Sequence, residues 1–130
     1  MTVKRIVANI DTGGTDNMDA ARAFYGDLLG MDVVMDHDWI LTFASGTQMA
    51  TQLSIAHEGG SGTPVPDLSI EVDDLDDVAA RMRQAGVTFS YGPVDEPWGV
   101  RRFYVRDPFG RLLNILCHAA GRPDGATDRA

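Results

Sequence analysis

The same succession of predicted elements, a strand, a helix and three strands, occurs twice along the 130-residue chain. In each half the helix has an apolar stripe at helical spacing and ends at a glycine, Gly30 and then Gly86. The two helices also share a short motif, Ala20-Ala21-Arg22 and Ala79-Ala80-Arg81. A period of roughly 60 residues is too long for a solenoid. The pattern therefore predicts an internal duplication, with two modules whose sheets face each other across a cleft.

We expect an α+β fold with one domain over residues 1–118. Module one covers 1–57, a glycine-rich flexible linker covers 58–66, module two covers 67–118, and a flexible tail follows at 119–130. Asp16 or Asn17 is the predicted N-cap of the first helix, which runs to Leu29, and Asp74 is that of the second. The strands predicted from β-branched or alternating residues are 3–10, 31–35, 39–44, 49–56, 67–72, 87–91, 100–106 and 112–118. Asp107-Pro108-Phe109-Gly110 is typical of a type I turn between the last two.

Composition is that of a globular protein, with 44% hydrophobic and 23% charged residues. The net charge of −8 argues against nucleic acid as a partner, because phosphates need a basic surface. The single cysteine, Cys117, allows no intrachain disulfide, and its apolar strand predicts a buried structural thiol. There is neither a signal-peptide pattern nor an apolar stretch of about 20 residues, so we expect a cytoplasmic protein.

Three segments carry motifs of a known family: Ala23-Phe24-Tyr25-Gly26-Asp27-Leu28-Leu29-Gly30, Leu68-Ser69-Ile70-Glu71-Val72-Asp73-Asp74-Leu75 and Asp107-Pro108-Phe109-Gly110-Arg111. They resemble the motifs "aFYrdvLG", "iaFeVdDl" and "DPdGN" of the vicinal oxygen chelate superfamily, which contains glyoxalases, bleomycin resistance proteins and extradiol dioxygenases. The resemblance runs from about Arg5 to His118. It implies paired βαβββ modules that form a U-shaped mixed sheet, usually in a homodimer, with a ligand or metal in each cleft.

Metal-dependent members of that family place His and Glu ligands at fixed strand positions. The resemblance puts Arg5, Asp67 and Asn114 at those positions. An arginine cannot ligate a metal and repels it, so we expect no catalytic metal and no cofactor. The three histidines are predicted to be surface residues at strand ends or in a turn: His37, His57 and His118.

Without a metal, the cleft is expected to recognise a ligand by shape, stacking and hydrogen bonds. Trp98, in a Pro-Trp-Gly loop, and Trp39, at the start of a strand, are the candidate aromatic anchors, although either ring could instead pack in the core. Strand alternation selects the polar candidates for the cleft, namely Arg5, Asn9, Ser69, Glu71 and Asn114, and we add Arg102 as a candidate. Arg101 and Arg102 are adjacent, so one points inward, and the sequence leaves open which one.

Glu71 stands in the middle of a half-buried strand, where an unpaired carboxylate is costly. We expect it to meet a cation, which can be Arg5, Arg102 or an amine of a ligand. An Arg–Glu bridge that only stabilises the fold is an equally good interpretation.

The leading hypothesis is a metal-free protein, closest in character to the bleomycin or mitomycin resistance proteins, that sequesters an aromatic or cationic compound such as an antibiotic. The alternative is a metal-dependent glyoxalase-like lyase, isomerase or dioxygenase. A metal-free acid–base enzyme with Glu71 as the base ranks last, because a neighbouring arginine would lower the pKa of a basic carboxylate. No nucleophile elbow or phosphate-binding loop occurs in the sequence.

Overall fold

The computed structural model describes residues 5, 7–14, 17–37, 39–48 and 52–118. The chain divides into two compact units, Met1–His57 and Glu58–Ala130, which are described separately below. The tail predicted at 119–130 lies outside the described residues. No helix in the described part of the chain is long and apolar enough to cross a membrane.

The helix of the first unit begins as α1, Met18–Ala21, and continues as a π-helical segment, Arg22–Leu28. The side chain of Asn17 caps it and accepts a hydrogen bond from the backbone N–H of Ala20 at 3.1 Å. It ends before Gly30, whose φ of 73° is the left-handed conformation that favours glycine. The predicted cap and terminal glycine are both confirmed, and the stripe buries Ala21, Phe24 and Tyr25.

Two strands follow, β1 (Asp32–His37) and β2 (Ile40–Ala44), which pair antiparallel. The aromatic ring of Tyr25 lies 5.7 Å from that of Phe43 on β2 and links the helix to this hairpin. Arg22 also reaches β1, with 2.7 Å between its Nη2 and Oδ2 of Asp36. The strand predicted at 31–35 extends two residues further, because Asp36 and His37 continue β1, so His37 does not lie in a turn; Asp38 lies outside the described residues.

The strands predicted at 3–10 and 49–56 are not formed where the structure describes them, at residues 5, 7–10 and 52–56. Residues 3, 4, 6 and 49–51 lie outside the described part. Val7, Leu53 and Ile55 are 49%, 77% and 89% exposed. Their apolar, β-branched pattern therefore has no strand partner in the described part of this unit, and β propensity is expressed only where such a partner and burial exist.

The second unit is a complete βαβββ module. Its elements are β3 (Leu68–Glu71), α2 (Leu75–Gln84), β4 (Phe89–Asp95), β5 (Val100–Arg106) and β6 (Leu112–His118). The four strands form a mixed sheet in the order β3-β6-β5-β4, in which β3 and β6 are parallel and the other pairs antiparallel. The predicted α+β class is confirmed, and β5 and β6 have the predicted bounds.

Helix α2 covers one face of this sheet. Oδ1 of Asp74 accepts a hydrogen bond from the backbone N–H of Asp77 at 3.1 Å, which is the predicted N-cap, and the helix ends before Gly86 with a φ of 80°. Its buried stripe is Leu75, Val78, Ala79 and Met82. On this face the sheet contributes fully buried apolar side chains to the core: Phe103, Val105, Leu113 and Ile115.

The turn between β5 and β6 is also as predicted. The backbone N–H of Gly110 donates to the carbonyl of Asp107 at 3.1 Å. The Asp107 carboxylate accepts from the N–H groups of Phe109 and Arg111 at 2.9 and 2.8 Å. An aspartate that bonds its own turn in this way fixes the hairpin register, and hence which face each residue of β5 and β6 occupies.

Candidate functional site

The two adjacent arginines of β5 point to opposite faces of the sheet. Arg101 lies on the α2 side, half-exposed, where its guanidinium is 3.3 Å from both Asp76 and Asp95. Arg102 points to the other face and is 2% exposed. Arg102 is therefore the inward-facing member of the pair.

Arg102 is held by ionic and hydrogen bonds on every side of its guanidinium. Its Nε donates to Oε2 of Glu96 at 2.7 Å, and its Nη1 donates to the carbonyl of Gly59 at 2.9 Å and to the hydroxyl of Tyr104 at 3.1 Å. Its Nη2 donates to the carbonyl of Gly60 at 3.2 Å. A buried cation needs this degree of pairing to offset its desolvation.

Three aromatic rings enclose the same guanidinium. Its central carbon lies 5.4 Å from the ring centroid of Tyr91 and 5.0 Å from those of Trp98 and Tyr104. These distances are in the range of cation–π attraction, which is strongest where the cation is desolvated. We call Arg102, Glu96, Tyr91, Tyr104 and Trp98 the ion-pair cluster.

Glu96 is the anion of the cluster and is 8% exposed. Its carboxylate accepts hydrogen bonds from the hydroxyl of Tyr91 at 2.8 Å, from Ser61 at 2.9 Å and from Arg102. Burial by itself raises the pKa of a carboxyl group, but the bonds from Tyr91, Arg102 and Ser61 outweigh it, so the pKa of Glu96 is lowered.

This lowered pKa predicts how stability depends on pH. A carboxyl group whose pKa is lower in the folded protein than in the unfolded chain contributes stability above its unfolded pKa, and that contribution is lost as the pH falls through the folded pKa. We expect Glu96→Gln to cost about 2–3 kcal/mol of unfolding free energy at neutral pH. The cost should shrink as the pH falls below the ordinary pKa of a glutamate, about 4.3, where the unfolded chain takes up the proton, and it should vanish once the pH falls below the lowered pKa of Glu96 in the folded protein. Urea unfolding of both proteins across that range measures it, and a cost independent of pH would contradict this account of Glu96.

The glycine-rich segment 58–66 was predicted to be a flexible linker, but its first half is a turn that covers the cluster. The N–H of Gly59 donates to the carbonyl of Thr63 at 2.8 Å, and the N–H of Thr63 donates to that of Gly60 at 3.0 Å. Thr63 is buried, with its hydroxyl 2.9 Å from that of Tyr104. A glycine-rich composition predicts flexibility. Composition alone cannot show that the carbonyls of Gly59 and Gly60 accept hydrogen bonds from the buried Arg102.

Trp98 is half-buried and its indole ring is held in place. The guanidinium of Arg102 lies against the ring, and a Cβ added to Gly60 would stand 2.8 Å from its Cη2. Only a glycine therefore fits beside this edge of the indole. The residue expected to be an aromatic anchor thus packs against Arg102 and Gly60, and part of its surface is accessible to solvent.

Other predicted residues share the sheet face of Arg102. Nδ2 of Asn114 donates to the hydroxyl of Ser69 at 3.1 Å. Nδ1 of His118 lies 2.8 Å from Oε2 of Glu71. His118 is thus a half-buried partner of Glu71 and not the surface residue that was predicted, and Glu71 is not the partner of Arg102. We call the face that carries Arg102, Tyr104, Asn114, Ser69 and Glu71 the polar face.

The remaining predicted residues belong to the first unit and are exposed there. Trp39 is 77% exposed, so the interpretation that it packs in the core is wrong; its ring stacks on that of His37, with 6.4 Å between centroids. Arg5 and Asn9 are likewise exposed. In the second unit Cys117 is half-buried, and burial raises the pKa of its thiol, as expected of a structural cysteine.

The residues at the family's metal-ligand positions do not fit a divalent ion. The Asp67 carboxylate accepts from the backbone N–H of Leu112 at 2.9 Å, and so joins the start of β3 to β6. Asn114 offers only an amide, and Arg5 is a cation. Within the described part of the chain no three His, Cys, Asp or Glu side chains are grouped so that they could hold a metal ion.

Sequence reasoning missed three members of the cluster: Tyr91, Tyr104 and Glu96. Alternation contained a signal for Tyr104, because it lies two residues after Arg102 and so shares its face. No comparable signal marked Glu96, which follows the end of β4, or Tyr91, on a strand whose register shifts against β5.

Comparison with solved structures finds the same fold in proteins of several named kinds. The antibiotic-binding protein TnmS3 from Streptomyces sp. CB03234 is 23% identical, with 79% of this chain and 88% of that chain covered and a TM-score of 0.57. A lactoylglutathione lyase from Agrobacterium tumefaciens is 24% identical, with 79% and 86% covered and a TM-score of 0.56. TioX from Micromonospora sp. ML1 is 22% identical, with 84% and 94% covered and a TM-score of 0.52. At these identities the likeness is one of fold alone.

A comparison with curated proteins finds no match. A family model described as the glyoxalase/bleomycin resistance protein/dioxygenase superfamily matches residues 13–115, most of the chain. Together with the βαβββ module and the Asp107 turn, this match establishes that the chain belongs to the glyoxalase/bleomycin resistance protein/dioxygenase superfamily.

Proposed function

We propose that this protein binds and sequesters a planar aromatic small molecule, such as an antibiotic, by stacking on Trp98 and without a metal ion. The observation that carries the proposal is the fixed position of the half-buried indole, between the guanidinium of Arg102 and the backbone at Gly60. An aromatic ring offers a large contact area for a flat ligand.

Preorganisation is what makes such a ring useful for binding. Free side chains lose conformational entropy when a ligand orders them, which weakens binding. Here the side chain of Trp98 loses that entropy when the protein folds, because the guanidinium of Arg102, paired with Glu96, packs against its ring. The charge of Arg102 is offset within the cluster, so it does not have to be neutralised by the ligand.

The family contains both binding proteins and enzymes, and the residues at the metal-ligand positions of this chain support a binding protein. TnmS3, of the same fold, is an antibiotic-binding protein, which supports sequestration as a function that this fold can perform. The lactoylglutathione lyase represents the enzymatic alternative. Arg5, Asp67 and Asn114 do not supply a metal-binding set, so no observation favours that alternative. The homodimer and the cytoplasmic location expected from the sequence stay predictions.

Substitution of Trp98 tests the proposal. In calorimetric titrations with an acridine, an anthraquinone and a naphthalene sulfonamide, we expect saturable binding of at least one compound to the wild type. Trp98→Ala should weaken it by at least about tenfold, the loss typical of a buried aromatic anchor. Trp39→Ala removes the other, exposed indole and should leave the affinity unchanged.

Trp39→Phe leaves Trp98 as the single tryptophan, so that fluorescence reports on the proposed site alone. A bound planar compound should then quench the emission with the same dissociation constant as calorimetry gives. Full affinity in Trp98→Ala, or saturable binding of none of the three compounds, would overturn the proposal.

A further inference from the structure

One face of the Trp98 ring is already occupied by a cation. The guanidinium of Arg102 lies over the indole, with 5.0 Å between its central carbon and the ring centroid. At the benzo edge of the ring Gly60 approaches so closely that an added Cβ would stand 2.8 Å from Cη2. A ligand that stacks on this half-buried indole therefore has to use the face opposite Arg102.

The bonds of Arg102 keep its positive charge at the indole. The side chain is buried, and its Nε is 2.7 Å from Oε2 of Glu96. The carboxylate of Glu96 also accepts from the hydroxyls of Tyr91 and Ser61, so its negative charge is shared among three donors. The ion pair is neutral as a whole, but its positive member is the one that lies over the ring of Trp98.

A cation over one face of an aromatic ring changes what the other face attracts. The π system presents negative charge on both faces, and this is the origin of cation–π attraction. Arg102 draws that charge toward its own side, so the opposite face attracts a second cation less. A positively charged ring stacked there would lie roughly 8.5 Å from the guanidinium carbon, the 5.0 Å to the centroid plus about 3.5 Å of ring contact. Like charges repel at that distance where the dielectric constant is low.

The net charge of the chain favours the opposite preference. At −8 the protein attracts cations over long distances. Salt screens that attraction beyond roughly 8 Å at physiological ionic strength, whereas the effect of the buried Arg102 acts across the ring and is screened much less. In physiological salt the local effect should therefore outweigh the net charge.

We infer that the aromatic ligand of Trp98 carries no positive charge on its ring system, because Arg102 already uses the cation–π attraction of the indole. The aromatic or cationic class expected from the sequence is thereby narrowed to neutral aromatic rings. Arg102 determines this specificity through the indole, without touching the ligand. The inference rests on the proposed function and specifies its ligand class.

Acridine and N-methylacridinium form a matched pair of probes, because they share the same fused rings and differ by a methyl group and a fixed positive charge. Calorimetric titration at mildly alkaline pH, where acridine is neutral, and at roughly 0.15 M salt measures both affinities. We expect the wild type to bind acridine at least about threefold more tightly, the size of a cation–π contribution at a partly exposed ring. Residual binding to Trp98→Ala measures attraction to the acidic surface and is subtracted.

The double variant Arg102→Met with Glu96→Gln removes the cation over the indole. It loses one positive and one negative charge, so the net charge stays at −8. Both probes are expected to bind this variant more weakly, and the ratio of their affinities is the readout. The preference for acridine should fall by about threefold, because the ring regains its attraction for a cation.

A second measurement needs only the wild type. The pKa of acridine, followed by its absorption spectrum, should be lower for the bound dye than for the free dye, because the site disfavours the protonated ring. Equal or tighter binding of N-methylacridinium at Trp98, an affinity ratio that the double variant leaves unchanged, or an unshifted or raised pKa of bound acridine would overturn the inference. If the wild type binds neither probe through Trp98, the result contradicts the aromatic platform of the proposed function instead.

Discussion

Arg102→Met should lower the free energy of unfolding by about 3–5 kcal/mol, the range seen when one partner of a buried ion pair is removed. The variant leaves the Glu96 carboxylate buried at 3% side-chain exposure without its cation. It also removes the donor to the backbone carbonyls of Gly59 and Gly60. Trp98 loses the group that lies against its ring, so ligand binding should fall together with stability.

Urea unfolding measures this loss, and Arg101→Met is the matched control. Arg101 is the preceding residue of the same strand, but its ion pairs with Asp76 and Asp95 are exposed, and such pairs contribute at most about 1 kcal/mol. The double variant, with Arg102→Met and Glu96→Gln, removes both buried charges of the pair. We expect this variant to be less destabilised than the sum of the two single changes. Equal costs for Arg102→Met and Arg101→Met would show that the cluster does not stabilise the fold.

Gly59→Ala is also expected to be strongly destabilising, with a loss of about 2–3 kcal/mol. An added Cβ would collide with the carbonyl of Pro64 and the hydroxyl of Tyr104, and would stand 2.5 Å from the hydroxyl of Thr63. Two of these three are buried side chains, so the segment must move to relieve the contact. Its movement breaks the bond between Arg102 and the Gly59 carbonyl.

Gly46→Ala provides the comparison for that change. Neither glycine has a positive φ, so alanine strains the backbone of neither, and a Cβ at Gly46 meets nothing within 4 Å. Its effect should stay within about 0.5 kcal/mol. Chemical unfolding of both variants gives the difference, and a Gly59→Ala protein as stable as Gly46→Ala would show that residues 58–64 do not pack on the cluster as described.

The parts of this fold that the sequence predicted well are those fixed by local backbone chemistry. An aspartate before an apolar helical stripe, as at Asp74, caps a helix whatever lies around it. Glycines such as Gly30 and Gly86 adopt the left-handed conformation at little cost, and so end helices. The turn at Asp107 fixes a hairpin register, and strand alternation then assigns the faces of β5 and β6.

Strands that depend on a distant partner were predicted less well. The apolar residues around Val7 and Ile55 have the composition of strands, but the described part of the first unit provides no strand for them to pair with. Burial and pairing decide β structure more than composition does. The same limit applies to the glycine-rich turn at 58–64, whose bonds are made to residues about 40 positions away, such as Arg102.

By itself, the sequence indicated the family, through motifs that resemble those of known members. It also predicted the βαβββ order of the second unit and the face that carries Ser69, Glu71 and Asn114, because the order and the face follow from short-range periodicity and turn chemistry. Only the tertiary structure decided the pairing of charges. Arg102 faces inward and binds Glu96, while Glu71 binds His118. Arg102 and Glu96 are desolvated, so each charge must have a partner, whereas the contact of the exposed Glu71 with His118 follows from the register of the strands. Neither is encoded within a single strand.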